Sequence, residues 1–331
     1  MRRRTFIAAV GLAGAVLAAP GVAAADPAPC DWVVSKVAVP DGYDPDFTDV
    51  KGTDSRGNYA GTSLRPGQNT NDLIVWTGGR PRVVHELQHL QWLSMAGQNW
   101  SGTVLVDGRV VAEGRWAVVR YSASGTITEF TAPDGYRVTR AISLNERGDV
   151  LGEGERVSDG RTVGILWSTI AVAPRIIDLA AGTPRDLDDD GTVLLSGREG
   201  KPGALWRDGA VTLLADEGKY AFAEAIRGGK VVGYQVEGAW PDSQALLWDR
   251  DGKVRHIDDG GTAFAVNAGG LITGERSTMV GHESVWRDTA FLGELPYPDG
   301  VTTVSELFVV GDDDSLFSSA SDYGPLRWTC A

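Results

Sequence analysis

The chain has 331 residues and a formal net charge of −13, with 44 acidic side chains against 31 basic ones. A surface this acidic repels phosphate backbones and anionic lipid, so nucleic acid and membranes are excluded as default partners. The length allows two average domains, yet closed repeat arrays commonly reach this size as one.

The first 25 residues are expected to lie outside the fold. Arg2, Arg3 and Arg4 precede an apolar run from Phe6 to Ala19, and Ala23-Ala24-Ala25 offers an A-x-A cleavage site. That layout is a signal peptide. The run is short for a bilayer span, and no later segment reaches ~18 uninterrupted apolar residues. Arg3-Arg4-Thr5-Phe6-Ile7 resembles a twin-arginine export signal, although Arg2 stands where Ser or Thr is usual. Cleavage removes three positive charges and takes the net charge from −13 to −16. The expectation is a secreted, monomeric protein with no membrane span, whose residues 26–331 form a single domain. Its two cysteines, Cys30 and Cys330, stand at opposite ends of that domain. In an oxidising compartment such a pair reads as a disulfide. Ends so distant in sequence meet only if the fold is circular or its termini converge.

Residues 32–43, WVVSKVAVPDGY, read as a strand followed by a turn. Beyond them a large aromatic recurs at Trp76, Tyr121, Trp167, Trp206, Trp248, Trp286 and Trp328. The steps are 45, 46, 39, 42, 38 and 42 residues, the length of a four-stranded propeller blade. Helical repeats of similar length need long 3.6-period stretches. Blade one (44–88) has FTDVKGTDSRGNYAGTS, then DLIVWTGGRPRVVHEL. Blade two (89–132) departs most, with extra residues around Gln98 to Ser101 and Tyr121 in place of Trp.

Blade three (133–180) shows the unit most clearly. Ala141 to Leu144 alternate apolar and polar side chains, and Asn145 to Gly148 make a turn. A second strand starts at Val150 and ends in Gly152 and Gly154; Ile165 to Trp167 and Arg175 to Leu179 supply the third and fourth. Short β-branched runs bounded by Gly, Asn and Asp are strand and hairpin signals. Blades four (181–216), five (217–258) and six (259–298) follow the same plan.

Blade seven (299–330) stops where a fourth strand is due. Residues 32–43 resemble the fourth strands of blades two and six, and Pro-Asp-Gly follows each, at 40–42, 133–135 and 298–300. The predicted fold is therefore an all-β, seven-bladed β-propeller with four antiparallel strands per blade. Residues 32–40 complete the last blade and remove its open edge. A Cys30–Cys330 bond staples that closure, and the recurring aromatics pack between blades.

A first strand ending in Asn, then G-x-V-V-G, then A-L-W and a short turn resembles the extracellular HAF-type repeats of bacteria. The match is sharpest in blades three, five and six. What the resemblance implies is a secreted propeller-like array; the family brings no agreed substrate or catalytic residues.

Candidate chemistry is sparse. His85-Glu86-Leu87-Gln88-His89 spells H-E-x-x-H, which binds zinc when a helix puts both imidazoles on one face. The repeat register instead puts Val83 to Leu87 on the fourth strand of blade one. Residues four apart on a strand are ~13 Å apart, too far for one metal. Asp186, Asp188 and Asp190, followed by Gly191, match the opening of a calcium loop, but Leu194 occupies the position of a later carboxylate. Calcium is the one cofactor the sequence leaves open. No G-x-S-x-G elbow exists.

Recognition is expected on loops at a channel mouth. Trp240 stands in a loop beside a proline, outside the repeat pattern, where an aromatic can stack on a sugar or peptide. Glu155, Arg156, Glu275, Arg276 and His282 follow second strands and are candidates for the same mouth. The reading is a non-enzymatic binding or scaffolding module for an extracellular protein or carbohydrate. The alternative is an extracellular metal-dependent hydrolase or glycan-active lyase. The two differ in whether His85, Glu86 and His89, or several acids and a histidine, converge in one cleft.

Overall fold

The computed structural model describes residues 30–217, 220–236, 242–277, 279–305 and 309–330. They form seven four-stranded antiparallel sheets arranged as a seven-bladed β-propeller. Six blades are continuous in sequence, at 48–83, 90–130, 136–177, 183–213, 220–256 and 265–294. The seventh joins strands from 309–330 to Trp32–Lys36. Among the described residues, helical structure is confined to four three-residue 3-10 turns.

Closure is as the sequence predicts. Trp32–Lys36 pairs antiparallel with Gly324–Cys330, setting Trp32 opposite Cys330 and Val34 opposite Trp328. Cys30 and Cys330 are disulfide-bonded, with Cα atoms 5.5 Å apart. The first and last strands thus share one ladder, and the ring has no open blade.

The periodic aromatics lie between blades. Trp167 packs on Leu105 and Val118 of blade two, Trp248 on Leu194 and Leu205 of blade four, and Trp286 on Val232 and Leu247 of blade five. Most of them also make a directed bond. The indole N–H groups of Trp76, Trp167, Trp248, Trp286 and Trp328 donate to the carbonyls of Ala38, Thr131, Ala215, Asp258 and Pro296. Every one of those acceptors follows the outer strand of the preceding blade. Tyr121 keeps the theme in blade two, where its hydroxyl accepts from Arg82 of blade one.

The remaining repeat residues have equally local causes. Inner strands carry a bulge, as between Val50 and Gly52 or Ala223 and Ala225. The bulge pushes a backbone carbonyl toward the second strand. A Cβ on Gly61 or Gly233 would stand 1.8 Å from the Asp49 carbonyl oxygen or 1.9 Å from that of Phe222, so only glycine fits. In blades two, three and six the Asn after the inner strand bonds to the next blade's turn: Asn99 donates to the Asn145 carbonyl, Asn145 to that of Asp188, and Asn267 to that of Gly311.

The first prediction concerns the staple. The Cys30→Ser/Cys330→Ser variant is expected to lose stability, by at most about 5 kcal/mol on the loop-entropy account. Deleting residues 30–36 is expected to cost more, because it also exposes the Gly324–Cys330 edge. Urea denaturation of the three proteins checks the order; equal midpoints would show that closure contributes nothing.

Candidate functional site

The two faces of the ring differ. One carries the turns between first and second strands, and there the channel is sealed. Arg227 of blade five crosses to Glu146 (2.6 Å), Asp189 (3.0 Å) and Asp312 (2.7 Å), which belong to blades three, four and seven. Trp100 of blade two donates its indole N–H to Asp312 and its backbone N–H to Glu146. Burial pushes the Glu146 and Asp189 carboxyls up from their ordinary values. Behind this plug the channel encloses about 170 Å³, lined from all seven inner strands. A small-molecule site usually needs several hundred Å³, so this space suits water better than a ligand.

The opposite face carries the loops between second and third strands and the connections between blades. Here the second and third strands of blade two, Val104–Val110 and Arg115–Tyr121, pair along their full length and are joined by the short 3-10 turn Val111–Glu113. Arg109 lies opposite Trp116. The inner strand is irregular between Gln91 and Ser94, and inside that irregularity Trp92 has φ +51°. For a bulky side chain this is a true outlier, costing about 1–3 kcal/mol, and such strain clusters at functional sites. The neighbouring blade holds it in place: Thr70 Oγ1 accepts from the Trp92 N–H, and Asn71 donates to the Leu93 carbonyl. As a result Trp92 (48% exposed) and Trp116 (37% exposed) meet at the surface with ring centroids 6.3 Å apart. The Arg109 guanidinium lies 5.3 Å over the Trp92 ring.

Trp116 is shared with a groove of about 720 Å³ between blades two and three. Phe130 and Tyr136 extend its aromatic lining. Arg115 pairs with Glu113 and Glu129 on one wall, and Arg137 pairs with Glu155 at 2.7 Å on the other. On the same face of the blade-two sheet, two residues inward from Arg109, Asp107 is buried and accepts from the Ala141 N–H of blade three. Burial pushes its carboxyl up to about 6, against the lowering effects of that N–H and of Arg140.

The residues singled out from the sequence separate. Glu155 lines the groove, and Arg156, paired with Asp159, interacts with Tyr136 beside it. Glu275, Arg276 and His282 belong to blade six, three blades away. Arg276 pairs with Glu294, and His282 stacks on Tyr297. Trp240 lies outside the described residues.

The metal candidates are engaged elsewhere. Asp186 accepts from the Ser143 hydroxyl and the Ile226 N–H, Asp188 from the Gly228 and Gly229 N–H groups, and Asp190 pairs with Arg207. Their partners lie on neighbouring blades and, for Asp190, also on the third strand of its own, and Arg250 of blade five approaches both Asp188 (3.9 Å) and Asp190 (3.4 Å). The strand expected through Leu87 stops at Val83; His85–Leu87 is a single 3-10 turn, and the next strand begins at Leu90. His85, Glu86 and His89 are exposed on that turn, with His89 Nδ1 against the Glu86 carbonyl. Among the described residues no group of three His, Cys, Asp or Glu side chains is arranged to hold a metal.

Trp92 and Trp116 escaped the sequence reading. A signal existed: of the five tryptophans outside the 40-residue period, three (Trp92, Trp100 and Trp116) fall in blade two.

No protein-family model and no curated protein matches the chain. Solved structures do resemble it. The propeller domain of the Trilobed protease from Pyrococcus furiosus has a TM-score of 0.58 at 13% identity, covering 86% of this chain and 94% of that one. That domain has an open velcro topology, whereas strand pairing closes the ring here. A second similar structure, from a study of two prolyl endopeptidases, has a TM-score of 0.57 at 14% identity, covering 85% of this chain and 46% of that one. At these identities the likeness shows the propeller fold alone.

Two predictions follow from the groove's energetics. The unfolded Asp107 carboxyl titrates at about 4, so between pH 4 and 6 the folded protein holds the extra proton. Stability falls as pH rises through that window and stays reduced above it. Asp107→Asn should flatten the slope and exceed the parent in stability at pH 8, by at most about 3 kcal/mol. Denaturation at pH 4, 6 and 8 measures this, and parallel curves would refute it. Trp92→Gly relieves the positive φ and should melt no lower than the parent. A fall in melting temperature would show that Trp92 is there for packing.

Proposed function

We propose that the protein is an extracellular binding module that captures a protein or carbohydrate ligand in the groove between blades two and three. The observation that carries this reading is the exposed Trp92–Arg109–Trp116 cluster, held by a strained backbone at the groove's edge. Stability alone gives no reason to keep a tryptophan at φ +51° and half exposed. A ligand that covers the rings does. Exposed aromatics beside guanidinium groups are the composition of recognition hot spots. The rest of the ring acts as a rigid frame. The Cys30–Cys330 bond and the leader-like N-terminus support export, and the resemblance to HAF-type extracellular repeats agrees with them.

The test is to probe the purified protein and its Trp116→Ala variant against arrays of glycans and peptides. At least one feature should bind the parent and lose about tenfold or more in affinity with the variant. Hits that ignore the substitution would place recognition elsewhere on the ring.

A further inference from the structure

We infer that the ligand of this groove is an uncharged oligosaccharide chain, a deepening that rests on the binding role just proposed. Three properties of the groove select that class together.

The first is its charge. Arg115 sits between Glu113 and Glu129 on one wall and Arg137 pairs with Glu155 on the other, so the guanidinium charge is already matched on both walls. A polyanion gains little from guanidinium groups already paired, and it must approach a chain of net charge −13. A polycation meets carboxylates that are likewise paired.

The second is its hydrogen-bonding character. Each ion pair offers N–H donors and carboxylate acceptors side by side, and Tyr136 adds a hydroxyl that does both. A sugar hydroxyl also donates and accepts, and it can bond to both members of a pair at once. A peptide backbone presents its donors and acceptors along an edge and does better on an open strand than between two ion-paired walls.

The third is the aromatic floor. Trp92 and Trp116 are tilted by 34° with centroids 6.3 Å apart, and Trp116 also lines the groove, as Tyr136 does. A pyranose ring has an apolar C–H face that matches an aromatic face, with its hydroxyls pointing outward to the walls. The arrangement gives a chain of sugars successive stacking positions from Trp92 through Trp116 into the groove. At about 720 Å³ the groove has room for a short oligosaccharide.

The experiment uses the full secreted protein in affinity electrophoresis through gels containing xylan, mixed-linkage β-glucan, galactomannan or starch. Pull-downs on cellulose and chitin complete the neutral set. Polygalacturonate serves as the acidic control, and a random peptide array as the third class. At least one neutral polysaccharide should retard or retain the parent. Trp116→Ala should weaken that binding about tenfold and Trp92→Ala severalfold, with melting curves unchanged. Tryptophan fluorescence titrated with the matching oligosaccharide should shift in the parent and lose that shift in the double variant. Neutral-glycan binding that survives the double substitution overturns the groove as its site. Trp116-dependent binding of polygalacturonate or peptide alone overturns the sugar class while leaving the groove as a recognition site. Binding to none of these probes overturns the inference as well.

Discussion

An indole N–H donated from one blade to the carbonyl that ends the previous one is the contact on which this ring depends. Each blade is a small sheet that cannot bury both of its faces alone. The third-strand tryptophan supplies a large apolar area to the neighbouring blade and a directional bond to its last backbone segment. Dispersion and hydrophobic burial would tolerate many blade orientations. The hydrogen bond selects one, because a buried carbonyl without a donor costs about 1–3 kcal/mol. The bond recurs at five of the seven junctions, the Arg82–Tyr121 bond stands in at a sixth, and the repeated local geometry sets the angle between successive blades until the ring closes.

A ring built from nearest-neighbour contacts still has to be joined at one place. Here the seam lies inside blade seven, where Trp32–Lys36 supplies a missing strand and the disulfide fixes the pairing. Trp76 ties the same segment forward through the Ala38 carbonyl, so the seam is held from both sides. On one face, the turn-to-turn bonds of Asn99, Asn145 and Asn267 and the ion cluster around Arg227 add a second circle of constraint. That face has its polar groups turned inward to partners on other blades. The opposite face has loops with fewer such obligations, and there surface chemistry is free to vary.

Blade two uses that freedom. Its long second and third strands and its irregular inner strand lift Arg109, Trp92 and Trp116 to the surface. Thr70 of blade one anchors the strained residue, and blade three supplies the far wall with Tyr136 and Arg137. The groove is thus a property of three consecutive blades, stiffened by the same contacts that hold the ring. A preorganised aromatic site of this kind loses little conformational entropy on binding.

The architecture was legible in the sequence because it follows from local, repeated causes. The aromatic period, the turn strings and the strand left over at the N-terminus each reflect contacts that recur once per blade. The two cysteines marked the seam. The site was not legible, because nothing repeats there. Asp186, Asp188 and Asp190 have the spacing of a metal loop, but backbone N–H groups of blade five claim the first two, which spacing along one chain cannot reveal. His85 and Glu86 are expected on a strand, and a 3-10 turn decides otherwise. Glu155 and Glu275 both stand near the end of a second strand, and only the circular arrangement puts one in a groove and the other three blades away. The sequence by itself determined how each blade folds and where the ring closes, since those depend on neighbours a few residues or one repeat away. Tertiary structure alone decided which side chains meet across blades, because that depends on the angle between sheets, set by inter-blade packing rather than by order along the chain.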